Sequence, residues 1–193
     1  MSDLVQRAKD ILLDPRGAWP RIADEPATVA SIYNPYVLVL AAIGPVAGFI
    51  GLSLIGVGGF GTTFRVPLVR GLVQMVVGYG LSLAMVYAMA LVVDWLAPNF
   101  GGQRNPIAAL KLVAYSATAG MLGGFFSLLP SLSGLGLLAA LYSMYLIFLG
   151  VPLLMRCPQE KALPYTGVVV VAGFVTGIVL AGVSSLFTGA PHP

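Results

Sequence analysis

The chain has 193 residues, of which 58% are hydrophobic and only 9% are charged, with a net charge of +3. Because a soluble domain carries about 25% charged residues, this composition excludes a water-soluble globular protein, and the small charge does not indicate a nucleic-acid partner. A single cysteine, Cys157, and a single histidine, His192, exclude an internal disulfide and argue against a metal site, a cofactor or a histidine-based catalytic triad.

The N-terminal segment, residues 1–36, differs from the rest of the chain. Residues 3–26 hold nine of the seventeen charged side chains. Apolar residues recur there with the spacing of one helix face, which predicts an amphipathic helix in the plane of the cytoplasmic membrane interface. Such a helix either packs beneath a membrane bundle or serves as a docking surface or lipid sensor. The apolar face consists of Leu4, Val5, Ala8, Ile11 and Leu12.

Five apolar segments follow, each long enough to cross a bilayer, which takes about 20 helical residues. The third and fourth are divided by the turn sequence at 130–134. We therefore predict an all-α fold, with a bundle of five transmembrane helices over residues 37–188 and a short external tail at 189–193. The predicted spans are 37–58, 71–93, 107–129, 132–155 and 165–187.

The distribution of positive charge predicts the orientation. Eight of the ten Lys and Arg residues fall on the N-terminal side of the predicted bundle, and only Arg65 and Arg70 fall on the other. Because basic residues concentrate on the cytoplasmic side, the N-terminus is predicted to be cytoplasmic and the C-terminus external. Residues 1–26 lack the apolar core of a signal peptide. The eight are Arg7, Lys9, Arg16, Arg21, Arg104, Lys111, Arg156 and Lys161.

Three stretches resemble the bacterial branch of the Yip (Ypt-interacting protein) family: "ILLDPRGAWPRIADEP", "NPIAALKLVAYSATAGMLGG" (105–124) and "ALYSMYLIFLGVPLLMRCPQEKALPYTGVVVV" (140–171). The resemblance implies five spanning helices, a cytoplasmic N-terminus, the bacterial cytoplasmic membrane and no known catalytic residues. Eukaryotic members are linked to Rab-type GTPases and vesicle traffic. Their N-terminal regions are longer than the one here, so that role is not carried over.

Small residues four positions apart recur in the spans. This spacing lets helix backbones approach closely. It indicates either a compact bundle of this chain or a face for self-association. The clearest pairs are Gly44 with Gly48, Gly120 with Gly124, and Gly173 with Gly177.

Polar side chains within the spans suggest an intramembrane cluster. A buried tyrosine hydroxyl needs a hydrogen-bond partner, so the group forms either interhelical hydrogen bonds or a polar ligand pocket. Pro45 and Pro152 lie inside predicted spans and predict kinks, which either open a cavity for lipid or solute or have no functional role, since proline is common in spanning helices. The candidates are Gln74, Tyr115, Tyr142 and Tyr145.

The predicted cytoplasmic face gathers the N-terminal helix and two loops, 97–106 and 155–164. Its charges follow from the positive-inside rule alone, or they mark a surface that docks a partner or a lipid headgroup. The candidates for that docking face are Trp19, Asp94, Arg104, Lys111, Arg156, Glu160 and Lys161.

The sequence therefore favours a non-enzymatic membrane-organising or adaptor protein that contacts lipids or other membrane proteins through its cytoplasmic face. The alternative is a small oligomeric transporter or channel for a lipid or small solute. The predicted partners are membrane lipids and either a second copy of the chain or another membrane protein.

Overall fold

A computed structural model describes residues 2–59, 62–129, 132 and 134–188. Within these residues, five helices are long and apolar enough to cross a membrane. The predicted all-α bundle of five transmembrane helices is confirmed. A short antiparallel hairpin of β1 (Val57–Gly59) and β2 (Thr62–Phe64) lies between the first two. The spanning helices are α3 (Val29–Ile55), α4 (Leu68–Phe100), α5 (Pro106–Leu128), α6 (Leu135–Leu154) and α7 (Gln159–Thr188).

The two ends of the bundle are distinguished by their connections. At the basic end, residues 101–105 join α4 to α5 and residues 155–158 join α6 to α7. At the opposite end, the β1–β2 hairpin joins α3 to α4. The predicted tail, 189–193, and most of the predicted turn at 130–134 lie outside the described residues.

The first spanning helix begins earlier than the sequence pattern predicted. Thr28 caps α3, because its hydroxyl accepts a hydrogen bond from the Ser31 N–H at 3.1 Å, and the Ser31 hydroxyl accepts one from the Thr28 N–H at 2.9 Å. This reciprocal pair satisfies two free donors at the helix start. The chain then kinks at Asn34, whose φ and ψ are −106° and 118°. The predicted division at residue 36 thus falls inside α3.

The N-terminal segment forms a pair of helices, α1 (Ser2–Leu13) and α2 (Pro15–Asp24). Asp14 separates them and caps α2, since its carboxylate accepts a hydrogen bond from the Gly17 N–H at 3.1 Å. The two helices fold back side by side, and Arg7 of α1 forms an ion pair with Glu25, just after α2, at 2.7 Å.

The N-terminal helix pair packs into the bundle instead of lying across its end. Ile11 is fully buried and Ala8 is nearly so, whereas Val5 on the same predicted face is half exposed. The Tyr142 hydroxyl donates a hydrogen bond to the Leu12 carbonyl at 2.6 Å. At 1.5 Å per residue, this contact lies about 18 Å along α6 from its end at Leu154. Protein side chains, not lipid headgroups, therefore cover most of this face.

The tightly packed core lies in the basic-end half. Helix α5 is the most enclosed span, with 61% of its apolar window buried, against 11% for α7. In the described part of α7, the last buried residue is Val169. The largest fully buried side chains are Ile11, Trp19, Ile32, Val37, Val93, Leu110, Leu112, Leu146, Val151, Met155, Tyr165 and Val169.

Candidate functional site

The two loops at the basic end are joined into one surface. The Gln103 N–H donates a hydrogen bond to the Met155 carbonyl at 2.8 Å. The Phe100 ring stacks on Tyr165, with ring centroids 4.8 Å apart and planes 5° from parallel. The Tyr165 hydroxyl in turn donates to the Val93 carbonyl. These contacts tie the ends of α4, α6 and α7 together, so the loops are held in fixed positions.

Four of the seven predicted docking residues are exposed on this surface: Arg104, Arg156, Glu160 and Lys161. They are called the basic surface below. Lys161 crosses to the other loop, because its Nζ lies 3.7 Å from the position that a Cβ atom would take on Gly101. The basic surface thus joins residues from both connections, with three positive charges and one negative.

Arg156 has an unusual backbone conformation. Its φ is +51°, in the left-handed region, and among the residues that the structure describes no other non-glycine residue has a positive φ. An L-residue pays about 1–2 kcal/mol for this conformation, which glycine adopts freely. The exposed Arg156 side chain is therefore held at a position where the local backbone favours glycine.

A cavity of about 310 Å³ lies beside Arg156, between α2 and the two loops. Asp24 and Asn105 line it together with apolar residues of α6. Asn105 is already used locally, because its side chain accepts a hydrogen bond from the Ala108 N–H at 3.0 Å and caps α5. The cavity therefore places Asp24 near Arg156 at the edge of the basic surface.

The other three predicted docking residues lie inside the protein. Lys111 is 5% exposed, and its ammonium group donates hydrogen bonds to the carbonyls of Ile22 at 2.7 Å, Ala23 at 3.4 Å and Glu25. It therefore caps the end of α2. Trp19 is fully buried. Asp94 is half-buried, and one of its carboxylate oxygens has no partner among the described residues.

Arg7 extends the contact between the N-terminal helix pair and the bundle. Its guanidinium lies 5.6 Å from the ring centroid of Tyr115 in α5, within the range of a cation–π interaction. The hydrogen bond to Glu25 raises the pKa of Arg7. Sequence reasoning missed this contact, because Arg7 and Glu25 are simply two charges in a charged segment.

The four predicted intramembrane polar residues do not form one cluster. Tyr142 and Tyr145 contact each other, with ring centroids 5.7 Å apart. Tyr115 instead packs against Tyr36, at 4.9 Å and 63°. Gln74 lines a separate cavity between α3 and α4. The four residues are therefore divided among three places: the α6 tyrosine pair, the Tyr36–Tyr115 contact and the cavity beside Gln74.

Tyr36 is another residue that sequence reasoning did not assign to a polar contact. Its hydroxyl lies 2.7 Å from the Thr118 hydroxyl, and both residues are buried. Tyr36 lies just before the predicted first span, which was expected to begin at residue 37. The early start of α3 brings this hydroxyl inside the bundle.

The predicted packing glycines fall into three environments. Gly44 and Gly124 face each other, since a Cβ on Gly124 would lie 2.7 Å from the Gly44 Cα. Gly120 and Gly173 line a large cavity between the spans, whose wall also includes Gly44 and Gly124. Gly48 and Gly177 face open space, because no described neighbouring atom lies within 4 Å of the position that a Cβ would take. Equal spacing in sequence therefore does not produce equal packing.

The chemistry available at the basic end is limited. Burial raises the pKa of the Cys157 thiol, which keeps it protonated and a poor nucleophile. Among the described residues, no group of three or more His, Cys, Asp and Glu side chains is placed to hold a metal ion. The feature of the described basic end that can bind a partner is therefore its set of exposed charged side chains.

Sequence comparison identifies the family. The Yip1 domain matches residues 9–181. The chain belongs to the Yip1 family. The relationship predicted from the three stretches is thus confirmed, and with five helices long and apolar enough to span a membrane the chain is a multi-pass membrane protein.

Two Yip1-family relatives carry the same printed name. "Inner membrane protein YohC" of Escherichia coli (strain K12) and its counterpart in Escherichia coli O6:H1 (strain CFT073) are each 30% identical to this chain over 169 residues. The match covers 86% of this chain and 87% of each relative. No solved structure matches the chain.

Proposed function

We propose that this Yip1-family protein is a non-enzymatic membrane-organising adaptor that docks an acidic segment of another membrane protein on its basic surface. The basic end faces the cytoplasm in this proposal. Support for the orientation comes from the charge distribution, with eight of ten Lys and Arg residues on that side.

The observation that carries the proposal is the strained, exposed Arg156. Strain retained at one position suggests a function for the residue there, because a glycine would relieve it. Arg156 is exposed and lies on a surface that also presents Arg104 and Lys161. Guanidinium groups bind carboxylates with paired hydrogen bonds, so an acidic segment is the matching partner.

The rigidity of the two loops supports the same proposal. The Gln103–Met155 hydrogen bond and the Phe100–Tyr165 stack hold the loops before any partner arrives. Binding then requires little ordering of the loops, which preserves affinity. A surface that only satisfied the charge rule for membrane insertion would not need this order.

The proposal is tested by extraction of the full chain in native lipid discs, followed by mass spectrometry of intact complexes. We expect a stoichiometric protein partner with the wild-type chain and its loss with Arg156→Glu combined with Lys161→Glu. Lys9→Glu combined with Arg65→Glu is the matched control, because both residues are exposed and neither belongs to the loops that form the basic surface.

Three results would contradict the docking proposal. One is a partner that is retained by the Arg156→Glu, Lys161→Glu variant. Another is equal loss from the control variant, which would indicate a general effect of charge. The third is extraction of the wild-type chain with lipids only.

The second candidate function, a transporter or channel, is supported by a different observation. A cavity of about 560 Å³ lies among all five spans. Its lining is apolar, so a small polar solute would lose its hydrogen bonds to water on entering it. The geometry therefore favours lipid over solute as the molecule handled there.

A further inference from the structure

The large cavity lies within the membrane-spanning part of the chain. Its volume is about 560 Å³, and every lining residue belongs to α3, α4, α5, α6 or α7. It adjoins Val169, the last buried residue in the described part of α7. The cavity thus begins where the tightly packed core of the basic end stops.

The cavity is open to its surroundings. Gly120 belongs to α5, the most enclosed span, yet it is exposed. Phe174 lines the cavity on α7 and is 73% exposed. A residue at the centre of the bundle can be exposed only if the neighbouring helices leave a gap, so the cavity reaches from the bundle surface to α5.

The polar side chains of the cavity lining already have hydrogen-bond partners within the protein. The Ser82 hydroxyl donates a hydrogen bond to the Tyr79 carbonyl at 2.7 Å. The Ser143 oxygen accepts one from the Gly120 N–H at 3.0 Å. The other described side chains of the lining are apolar, and none of them is charged. Water in a cavity needs two to four polar partners, so this lining disfavours water.

The lining is also adaptable in shape. Four of the chain's seven methionines lie there: Met85, Met89, Met121 and Met144. Methionine side chains are unbranched and flexible, and they fit irregular apolar surfaces. At Gly44, Gly120 and Gly173 the cavity wall consists of helix backbone without a side chain. Such a wall suits a long, flexible, apolar ligand.

We propose that the cavity binds one acyl chain of a bilayer phospholipid. At this depth the surrounding medium is hydrocarbon, and an empty cavity would lose dispersion contacts along its whole lining. A cavity of about 150 Å³ with similar lining holds one benzene molecule. By that proportion, the volume of about 560 Å³ has room for about 20 carbons, which is enough for one phospholipid acyl chain. This site is separate from the basic surface and does not depend on a protein partner.

The test fills the cavity by substitution. Gly173→Leu places a side chain in it, and the new Cβ would lie 3.5 Å from Met89, an ordinary contact. Gly177→Leu is the matched control, because Gly177 lies one turn further along α7, faces open space and does not line the cavity. Val170→Phe is a second filling variant in case Gly173→Leu does not fold.

The full chain is purified in mild detergent, exchanged with phospholipid vesicles and examined by mass spectrometry of the intact complex. We expect one retained phospholipid with the wild-type chain and with Gly177→Leu. The new side chain removes several dispersion contacts between the cavity wall and the acyl chain, which predicts about threefold lower retention with Gly173→Leu. Phosphatidylethanolamine and phosphatidylglycerol vesicles of equal chain length are expected to give equal retention, and shorter chains less.

Several outcomes would overturn the acyl-chain site. Retention unchanged in both filling variants would place the lipid elsewhere. Retention that follows the headgroup and not the chain length would indicate a headgroup site. A dimer without lipid that Gly173→Leu dissociates would show that the occupant is a helix of a second copy.

Discussion

The two halves of the bundle achieve stability differently. In the basic-end half, the N-terminal helix pair packs against α5 and α6, and large side chains such as Trp19 and Tyr165 are fully buried. In the other half, glycines and an apolar cavity lie between the spans, and residues such as Val175 and Ile178 are more than half exposed. One half is held by protein contacts, whereas the other leaves room for lipid.

This difference follows from how helices associate in a bilayer. Lipid tails are as apolar as leucine, so burial of apolar area gives little driving force between spans. The basic-end half adds hydrogen bonds between distant segments, such as Lys111 with the α2 carbonyls and Tyr36 with Thr118. Large side chains then fill the space between helices that these bonds hold together.

The largest expected effect is at Lys111. Lys111→Met removes the charged group that caps α2 and leaves buried carbonyls without a donor, which destabilises the attachment of the N-terminal helix pair by about 3 kcal/mol. Hydrogen exchange of α1 and α2 should accelerate, while the middle of α4 remains protected. Lys9→Met, at an exposed position, is the control. Equal protection in the two variants would contradict the role of Lys111 as a cap.

The next effect is at the glycine contact in the other half. Gly124→Ala forces a methyl group against the Gly44 backbone, at 2.7 Å from its Cα, and we expect destabilisation of about 2 kcal/mol. Gly177→Ala enters open space within a helix and should not lower the thermal unfolding temperature, because alanine is at least as stable as glycine inside a helix. Thermal unfolding in the same detergent compares them. Equal temperatures would show that this contact is not tight.

A smaller effect is expected at Tyr142. Tyr142→Phe removes the hydroxyl that binds the Leu12 carbonyl, and the net loss of one such hydrogen bond is about 1 kcal/mol. Faster proteolysis between α1 and α2 would report it. Tyr145→Phe is a matched control, since Tyr145 is 40% exposed. If both variants are cleaved at the wild-type rate, the Tyr142 bond does not hold the helix pair.

The smallest effect has the opposite sign. Arg156→Gly relieves the left-handed strain and should stabilise the protein by up to about 1 kcal/mol, while binding of the acidic partner is lost. Arg104→Gly removes the same charge from a position without that strain, so it should not be stabilising. Thermal unfolding of the two variants compares them. Destabilisation by Arg156→Gly would mean that the side chain holds the loop, and that its strain does not reflect docking.

Much of the fold could be predicted from residues alone. The charge-free runs predicted five spans, because a charge in the middle of a bilayer is expensive. The capped start of α3 at Val29 was missed, since it is marked by the local Thr28–Ser31 pair of hydrogen bonds and not by the length of the apolar run. The candidate docking residues were chosen by charge and position, and charge does not distinguish the buried Lys111 from the exposed Lys161.

The sequence by itself determined the membrane location, the number of spans and the family, because these depend on hydropathy along the chain and on local motifs. Only the tertiary structure decided which glycines touch, where the cavity lies and that the N-terminal helix pair enters the bundle. Those features depend on contacts such as Lys111 with Ile22 and Gly44 with Gly124. The partners in such contacts are far apart in sequence, and a local pattern cannot specify which one is chosen.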